Sequence, residues 1–294
     1  MKILSTAGWS DYELIDSGNR QRLERFGPYK LIRPDPQIIW KKQLPQSEWN
    51  TIDAVFKRIK EDQGKWILKR QIPYHWLMKW NDLSFWIKLS PFKHTGVFPE
   101  QTLQWEWMEK IIANSLKQFQ KTQNILNLFA YTGIASLVCA QAGTKVTHVD
   151  ASRPTISWAR ENQTASHLVD KPIRWILDDA VKFVERDIKR GVKYDGIIMD
   201  PPVYGHGPTG QIWKFSKDFP ALLEKCIQLL SDHPLFIVIN AYAISSSALM
   251  LENILQDATK HLGGAIEVGE LTLQEKHSKR LLSTGIFARW SCSS

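Results

Sequence analysis

Cysteine is scarce in this chain: Cys139, Cys226 and Cys292 are the only three in 294 residues, and no two stand in a CxxC spacing. That excludes a thiolate zinc site and a disulfide framework, leaves no metal expected, and fits a reducing, cytoplasmic setting. No stretch approaches 18 consecutive apolar residues, which excludes a spanning helix. The N-terminus, Met1-Lys2-Ile3-Leu4-Ser5-Thr6, lacks the long apolar run of a secretory leader. Repeats and low-complexity tracts are missing as well. Glycine is thin where it would matter most. The turn after the strand-like run Asn124 to Phe129 holds only Gly133, so the GxGxxG pattern that lets backbone amides approach a pyrophosphate is not met.

What is present is a series of apolar runs ending in polar residues. After Asn124-Ile125-Leu126-Asn127-Leu128-Phe129 come Thr132 and Gly133, and then Ile134, Leu137, Val138 and Ala142 recur at helical spacing. This predicts strand, tight turn, helix. Lys145 to Val149 predicts a second strand ending in Asp150, 17 positions beyond Gly133, where a carboxylate in a doubly wound sheet faces ribose hydroxyls. A third strand, Ile173 to Leu177, ends in Asp178-Asp179-Ala180, and a fourth, Tyr194 to Met199, leads into Asp200-Pro201-Pro202. All of these polar residues fall at carboxyl ends of strands, where open α/β sheets bind their ligands.

From about Lys93 to Trp290 the chain resembles the class I methyltransferases related to the bacterial large-subunit ribosomal RNA methyltransferases RlmI and RlmK. The likeness rests on His94-Thr95-Gly96-Val97-Phe98-Pro99-Glu100-Gln101, Asn127-Leu128-Phe129-Ala130-Tyr131-Thr132-Gly133, Val149-Asp150-Ala151-Ser152, Trp158-Ala159-Arg160-Glu161-Asn162 and Met199-Asp200-Pro201-Pro202. It implies a Rossmann-like α/β fold, a seven-stranded sheet flanked by helices and preceded by a small β-rich domain. The cofactor it implies is S-adenosyl-L-methionine, which carries no phosphate and so has no need of the missing glycines. By the same resemblance Asn127, Phe129, Ala130, Tyr131, Thr132 and Gly133 would form one wall of the cofactor site. Asp150 would hold the ribose, Asp179 and Ala180 would meet the adenine, Phe98 and Gln101 would lie on the methionine side, and Ala151, Ser152 and Asp200 would also contact the cofactor.

The boundary implied is 1–95 for an accessory β-rich domain and 96–294 for the methyltransferase domain. Residues 1–95 hold 17 Lys or Arg against 10 Asp or Glu, a net +7, while residues 96–294 hold 21 against 20. Nearly all of the net +8 therefore precedes the sheet, as expected of a region contacting a polyanion such as RNA. Nine of the 13 tryptophans lie at or before Trp107. Core packing in a small β domain is the expected use of each, with base stacking the alternative. Lys65 to Lys69, Tyr74 to Trp80 and Leu83 to Leu89 predict strands, the last two joined by a tight turn at Asn81-Asp82. Pro34 to Pro36 predicts a turn, Gln43 to Ser47 a loop, and Leu103, Trp107, Ile111, Ile112 and Leu116 the apolar face of a helix.

Methyl transfer asks the protein mainly to hold a nucleophile in line and exclude water. Asp200, Pro201, Pro202 and Tyr204 are the expected reacting set, with rigid acceptors for a base edge and a ring to stack on it. Methylation at carbon 5 of a pyrimidine needs a thiolate. Members of the family that do this carry Gly-Phe-Val-Cys-Arg, whereas this chain reads Gly285-Ile286-Phe287-Ala288-Arg289. A ring or exocyclic nitrogen of a ribosomal RNA base is the expected acceptor. Alternatives are a cofactor-binding ribosome-assembly factor without turnover, and a methyltransferase of a small molecule or protein. His206 reads as a loop residue with a possible proton-relay role, His148 as a satisfied core residue, and Gly205 to Gln211 as a lid.

Overall fold

The computed structural model describes residues 1–60, 63–206, 212–242 and 246–292. The chain divides into two compact units, one formed by 1–4, 101–271 and 283–294 and the other by 5–100 and 272–282.

In chain order the first strands are β1 (Lys2–Thr6), β2 (Tyr12–Gly18), β3 (Gln21–Phe26) and β4 (Tyr29–Pro34), followed by α1 (Gln46–Asn50). Then come β5 (Ala54–Lys60), β6 (Gln63–Leu68), β7 (His75–Trp80) and β8 (Leu83–Lys88). β2 to β6 form a five-stranded sheet in sequence order, and β7 and β8 pair as a hairpin. Asn81 turns that hairpin with φ 49°, a conformation asparagine tolerates, and Trp80 stands opposite Leu83. The loop expected at Gln43 to Ser47 instead runs into α1. Its Trp49 is buried, with the indole N–H donated to Asp16 at 2.9 Å, and this anchor supports a helix of five residues.

Two buried carboxylates in this unit are paired with arginine. Glu24 is fully buried and accepts from Tyr12 Oη and from Arg33 Nε and Nη2, each at 2.7 Å; Asp35 accepts from Arg22 Nε at 2.7 Å. Of the nine tryptophans up to Trp107, five are buried and four half-buried, so they serve packing. Lys57 and Lys65 face each other across β5 and β6, and both are exposed.

The other unit continues with α2 (Thr102–Phe119), β9 (Asn124–Leu128), α3 (Ile134–Gln141), β10 (Lys145–Asp150), α4 (Arg153–Ala165), β11 (Ile173–Leu177) and α5 (Ala180–Lys189). β12 (Gly196–Met199), β13 (Tyr204–His206), β14 (Ile212–Lys214), α6 (Phe215–Gln228), β15 (Phe236–Tyr242), α7 (Ala248–Thr259), β16 (Ala265–Gln274) and β17 (Leu281–Ser291) complete it. The sheet order is β1-β16-β17-β15-β12-β9-β10-β11, seven strands as expected with β1 added at an edge. β15, β12, β9, β10 and β11 run parallel, and β17 is antiparallel to β15. From β9 the chain steps one way to β10 and β11, then returns to β12 on the other side. That reversal opens a crevice above the carboxyl ends of β9 and β12. Apolar runs buried on both faces, such as Ile237 to Ile239 and Ile197 to Met199, supply the core, with α6 packing Phe219, Leu222 and Leu223 against it.

Helix α2 buries a face rotated from the expected one. Gln104, Trp105, Met108, Ile112 and Ser115 are buried, while Leu103, Trp107, Ile111 and Leu116 are half-buried. Two polar residues occupy the inner stripe because they find partners there: Gln104 donates to Asn240 and accepts from Arg289, and Ser115 accepts from Gln123. His148 departs from expectation as well. It is fully buried with Nδ1 3.0 Å from Ser136 Oγ, but Nε2 has no hydrogen-bond partner and the ring packs against Trp175. Burial holds the imidazole neutral, pushing its pKa down to about 3.

Candidate active site

The turn between β9 and α3 is wound more tightly than its single glycine announces. Phe129, Tyr131 and Gly133 all have positive φ, at 55°, 49° and 81°. For two aromatic residues this is uncommon backbone, costing of order 1–3 kcal/mol each and kept only where the surroundings over-determine it. The restraints are visible: Ala130 N–H donates to Val149 O at 3.1 Å, Gly133 N–H to Ala130 O at 3.0 Å, and Tyr131 N–H to Asp150 Oδ2 at 2.8 Å. A Cβ on Gly133 would stand 3.0 Å from Ala159 Cβ and 3.3 Å from His148 Cε1. Packing within the protein therefore requires this glycine. The Asn127 side chain turns into the core and donates to Ser136 at 2.9 Å, while Thr132 is buried with its carbonyl accepting from Asn162.

Asp150 sits at the end of β10 and its carboxylate is mostly engaged. Oδ1 accepts from Ser152 N–H at 2.8 Å and Thr155 Oγ1 at 2.9 Å, and Oδ2 from Tyr131 N–H. One lone-pair direction of Oδ2 remains for a ligand. Burial raises the Asp150 pKa, opposed by the hydrogen bonds from Ser152, Tyr131 and Thr155. Ser152 caps α4 by accepting from Thr155 N–H, and Asp179 caps α5 by accepting from Lys182 N–H at 3.0 Å. Asp178 pairs with Arg186.

A cavity joins these strand ends. Its lining includes Phe129, Asp150, Ala151, Asp179, Ala180 and Pro202 from the expected residues. It also includes Asp178 and Gly205, expected at a strand end and in the lid, together with Val149, Val181 and Trp213, to which sequence reasoning gave no role in the site. Among the described residues no Lys or Arg lines it, and three carboxylates do, of which Asp178 is paired with Arg186. Such a donor set disfavours a phosphate and fits a ligand that is neutral or cationic where it lies.

Asp200 belongs to a second cluster. Gln101, buried at the start of α2, donates one amide N–H to Asp200 Oδ2 at 2.7 Å and the other to Tyr242 Oη at 2.9 Å. Pro201 is buried and Pro202 exposed, with the Pro202 carbonyl accepting from Trp213 Nε1 at 2.7 Å. Tyr204 is 51% exposed on β13, beside exposed Val203 and across from Lys214. His206 pairs with Ile212 in the β13–β14 ladder, and 207–211 of the expected lid lie outside the described residues. Phe98 belongs to the other unit, where its ring packs 5.2 Å from His94. Among the described residues no group of three or more His, Cys, Asp or Glu could hold a metal ion.

Comparison with known proteins identifies the family. Residues 51–269 match a family profile described as S-adenosylmethionine-dependent methyltransferase. The chain belongs to that family. This methyltransferase is also similar over its whole length to the crystal structure of the SAM-dependent methyltransferase from Agrobacterium tumefaciens, with 38% identity, a TM-score of 0.95 and 94% of that chain covered. A putative SAM-dependent methyltransferase from Streptococcus mutans shares the fold, with a TM-score of 0.72 at 16% identity, over 97% of this chain and 76% of the other. Among curated relatives, the ribosomal RNA large subunit methyltransferase K/L of Shewanella frigidimarina is 31% identical over 150 residues, 50% of this chain and 20% of its own. The protein of the same description from Methylococcus capsulatus is 24% identical over 184 residues, covering 60% of this chain and 24% of the relative. The chain thus spans about a fifth to a quarter of the length of these relatives. The protein is an S-adenosyl-L-methionine-dependent enzyme, and the cation-free cavity suits that cofactor. No helix among the described residues is long and apolar enough to cross a membrane.

Proposed function

We propose that this methyltransferase modifies a base of ribosomal RNA in the cytoplasm, at a ring or exocyclic nitrogen in preference to carbon 5 of cytosine. The observation that carries the choice of atom is where the thiols lie. Ala288, in the position matching the family's nucleophilic cysteine, is buried on β17 opposite Ile239. Cys139 and Cys226 are buried in apolar surroundings that push their thiols up. Cys292 follows Ser291, which pairs with Phe236 at the start of β15, whereas Asp200 follows the end of the neighbouring parallel strand β12. That separates Cys292 from Asp200 by most of a strand length, on the order of 15–20 Å. A thiolate addition has no residue to perform it near the reacting edge.

In this reading Asp150 Oδ2 takes one ribose hydroxyl, Asp179 and Ala180 border the adenine, and the turn Phe129 to Gly133 gives the cofactor its wall. When bound, the cofactor supplies an electrophilic methyl group. Asp200, which accepts from Gln101, presents its carboxylate to an N–H of the target base, and Pro201 and Pro202 keep that loop stiff. Tyr204 offers an exposed ring beside the same loop. The basic balance of residues 1–95 and the names carried by the curated relatives support RNA as the polymer.

The test is methyl transfer from tritiated cofactor to ribosomal RNA from a strain lacking the gene, followed by mass spectrometry of the labelled nucleoside. A methylated nitrogen, absent with Asp200→Ala, is the expected result. Finding 5-methylcytosine that disappears with Cys292→Ser would overturn the choice of atom, and label found only in protein or small molecules would overturn RNA.

A further inference from the structure

Sequence reading gave the aromatic role after Asp200-Pro201-Pro202 to Tyr204. That role was stacking on the target base; the ladder between β13 and β14 brings a second aromatic, Trp213, beside the same loop on the opposite face. Tyr204 pairs with Lys214, Gly205 with Trp213, and His206 with Ile212. Side chains alternate across a strand, so Tyr204, Ile212 and Lys214 share one face while Gly205 and Trp213 share the other. The first face is open, with Tyr204 51% and Ile212 56% exposed. The second is the one that lines the cavity at the ends of β10 and β11.

Trp213 is fixed in place from two sides. Its indole N–H donates to the Pro202 carbonyl at 2.7 Å, and its ring packs 5.2 Å from that of Phe129, whose backbone is itself held at positive φ. Gly205 opposite contributes no side chain, so the indole is the bulk of this wall. Around it the cavity offers Val149, Ala180 and Val181 as apolar surface, with Asp150 at the β10 end and no cation. A flat heteroaromatic ring bearing a diol fits that chemistry. An amino-acid carboxylate does not, since nothing positive lines the cavity to receive it.

We propose that Trp213 is the aromatic wall on which the adenine ring of the bound cofactor stacks, with its N–H to Pro202 linking adenine binding to the loop that carries Asp200. Tyr204, on the other face, does not contact the cofactor.

Calorimetric titration of the full chain with S-adenosylmethionine and with 5′-methylthioadenosine, which lacks the amino-acid part, tests this without any acceptor. Trp213→Leu and Trp213→Phe both remove the N–H and keep apolar bulk, so they differ in the ring alone. Trp213→Leu is expected to weaken both ligands by a similar factor, roughly tenfold, as loss of one base-stacking partner does. Trp213→Phe should stay within about threefold of the parent, by retention of a stacking surface. Equal losses in the two variants would overturn stacking in favour of the hydrogen bond. A loss with S-adenosylmethionine that 5′-methylthioadenosine does not share would move Trp213 to the methionine side. Tyr204→Ala is expected to leave both affinities unchanged, and a loss there equal to that of Trp213→Leu would also sink the assignment.

Discussion

Glu24 and Asp35 in one unit, and Asp150 and Asp179 in the other, are held by different means. In the unit containing 5–100, Glu24 is held by Arg33 and Asp35 by Arg22, while Asp16 accepts from the backbone amides of Ser17, Gln43 and Leu44 and from the Trp49 indole. In the unit with the large sheet, backbone amides do most of the holding: Asp150 takes Tyr131 and Ser152, Asp179 takes Lys182, and Asp195 takes Asn124 N–H with Ser231 Oγ. Amides satisfy a carboxylate without cancelling its charge. Asp150 and Asp179 therefore keep the cavity lining negative, with Asp178 paired to Arg186, while in the other unit Arg22 and Arg33 are turned inward against carboxylates and Lys57 and Lys65 stand outside.

The contrast breaks most sharply on single deletions. Glu24→Ala leaves the Arg33 guanidinium buried and unpaired, and should lower unfolding free energy by about 3–5 kcal/mol. Asp179→Ala removes only a helix cap, worth about 1 kcal/mol. Urea unfolding of both variants measures the difference directly. Equal losses would mean that the ion pair is no more demanding than the cap.

Each unit also hides a neutral histidine, and these set a common response to acid. His148 is pushed down to about 3 by burial, and His94 to about 3 by burial together with the charges of Lys93, Arg33 and Arg22. The unfolded chain takes up these protons near pH 6.5, where the folded chain does not. Stability is thus complete above about pH 6.5 and is lost as pH falls from there toward 3. Each histidine accounts for about 2 kcal/mol between pH 7.5 and 5. His148→Gln should reduce the fall measured by denaturant titration at the two pH values; an unchanged fall would assign the acid sensitivity elsewhere.

How much of this was legible depended on whether polarity followed burial. β9, its turn and α3 were readable because apolar residues end at Thr132 and Gly133 and resume at helical spacing. β2, β3 and β4 were not, because their inward positions include Asp16, Glu24 and Arg33, which disturb a period of two. The face of α2 was misjudged for the same reason, with Gln104 and Ser115 inside. Asp150, Asp179 and Ala180 could be placed at the cavity since strand ends are local features. Trp213 could not be, since it reaches the cavity only through the pairing of β13 with β14, and its neighbours in sequence give no sign of that.

The smallest effect expected sharpens the comparison at the surface. Lys57 and Lys65 stand opposite each other on β5 and β6, exposed and with no acidic partner among the described residues. Like charges so placed destabilise a strand pair by a few tenths of a kcal/mol unless an anion lies over them. If RNA phosphates fill that role, Lys57→Glu with Lys65→Glu should weaken ribosomal RNA binding several-fold. The slope of log affinity against log salt should fall by about two, one for each lost phosphate contact. Cofactor affinity should not move, because neither lysine lines the cavity. Filter binding across a salt series separates the cases: a weaker complex with an unchanged slope would mean that the pair shapes β5 and β6 without touching phosphate.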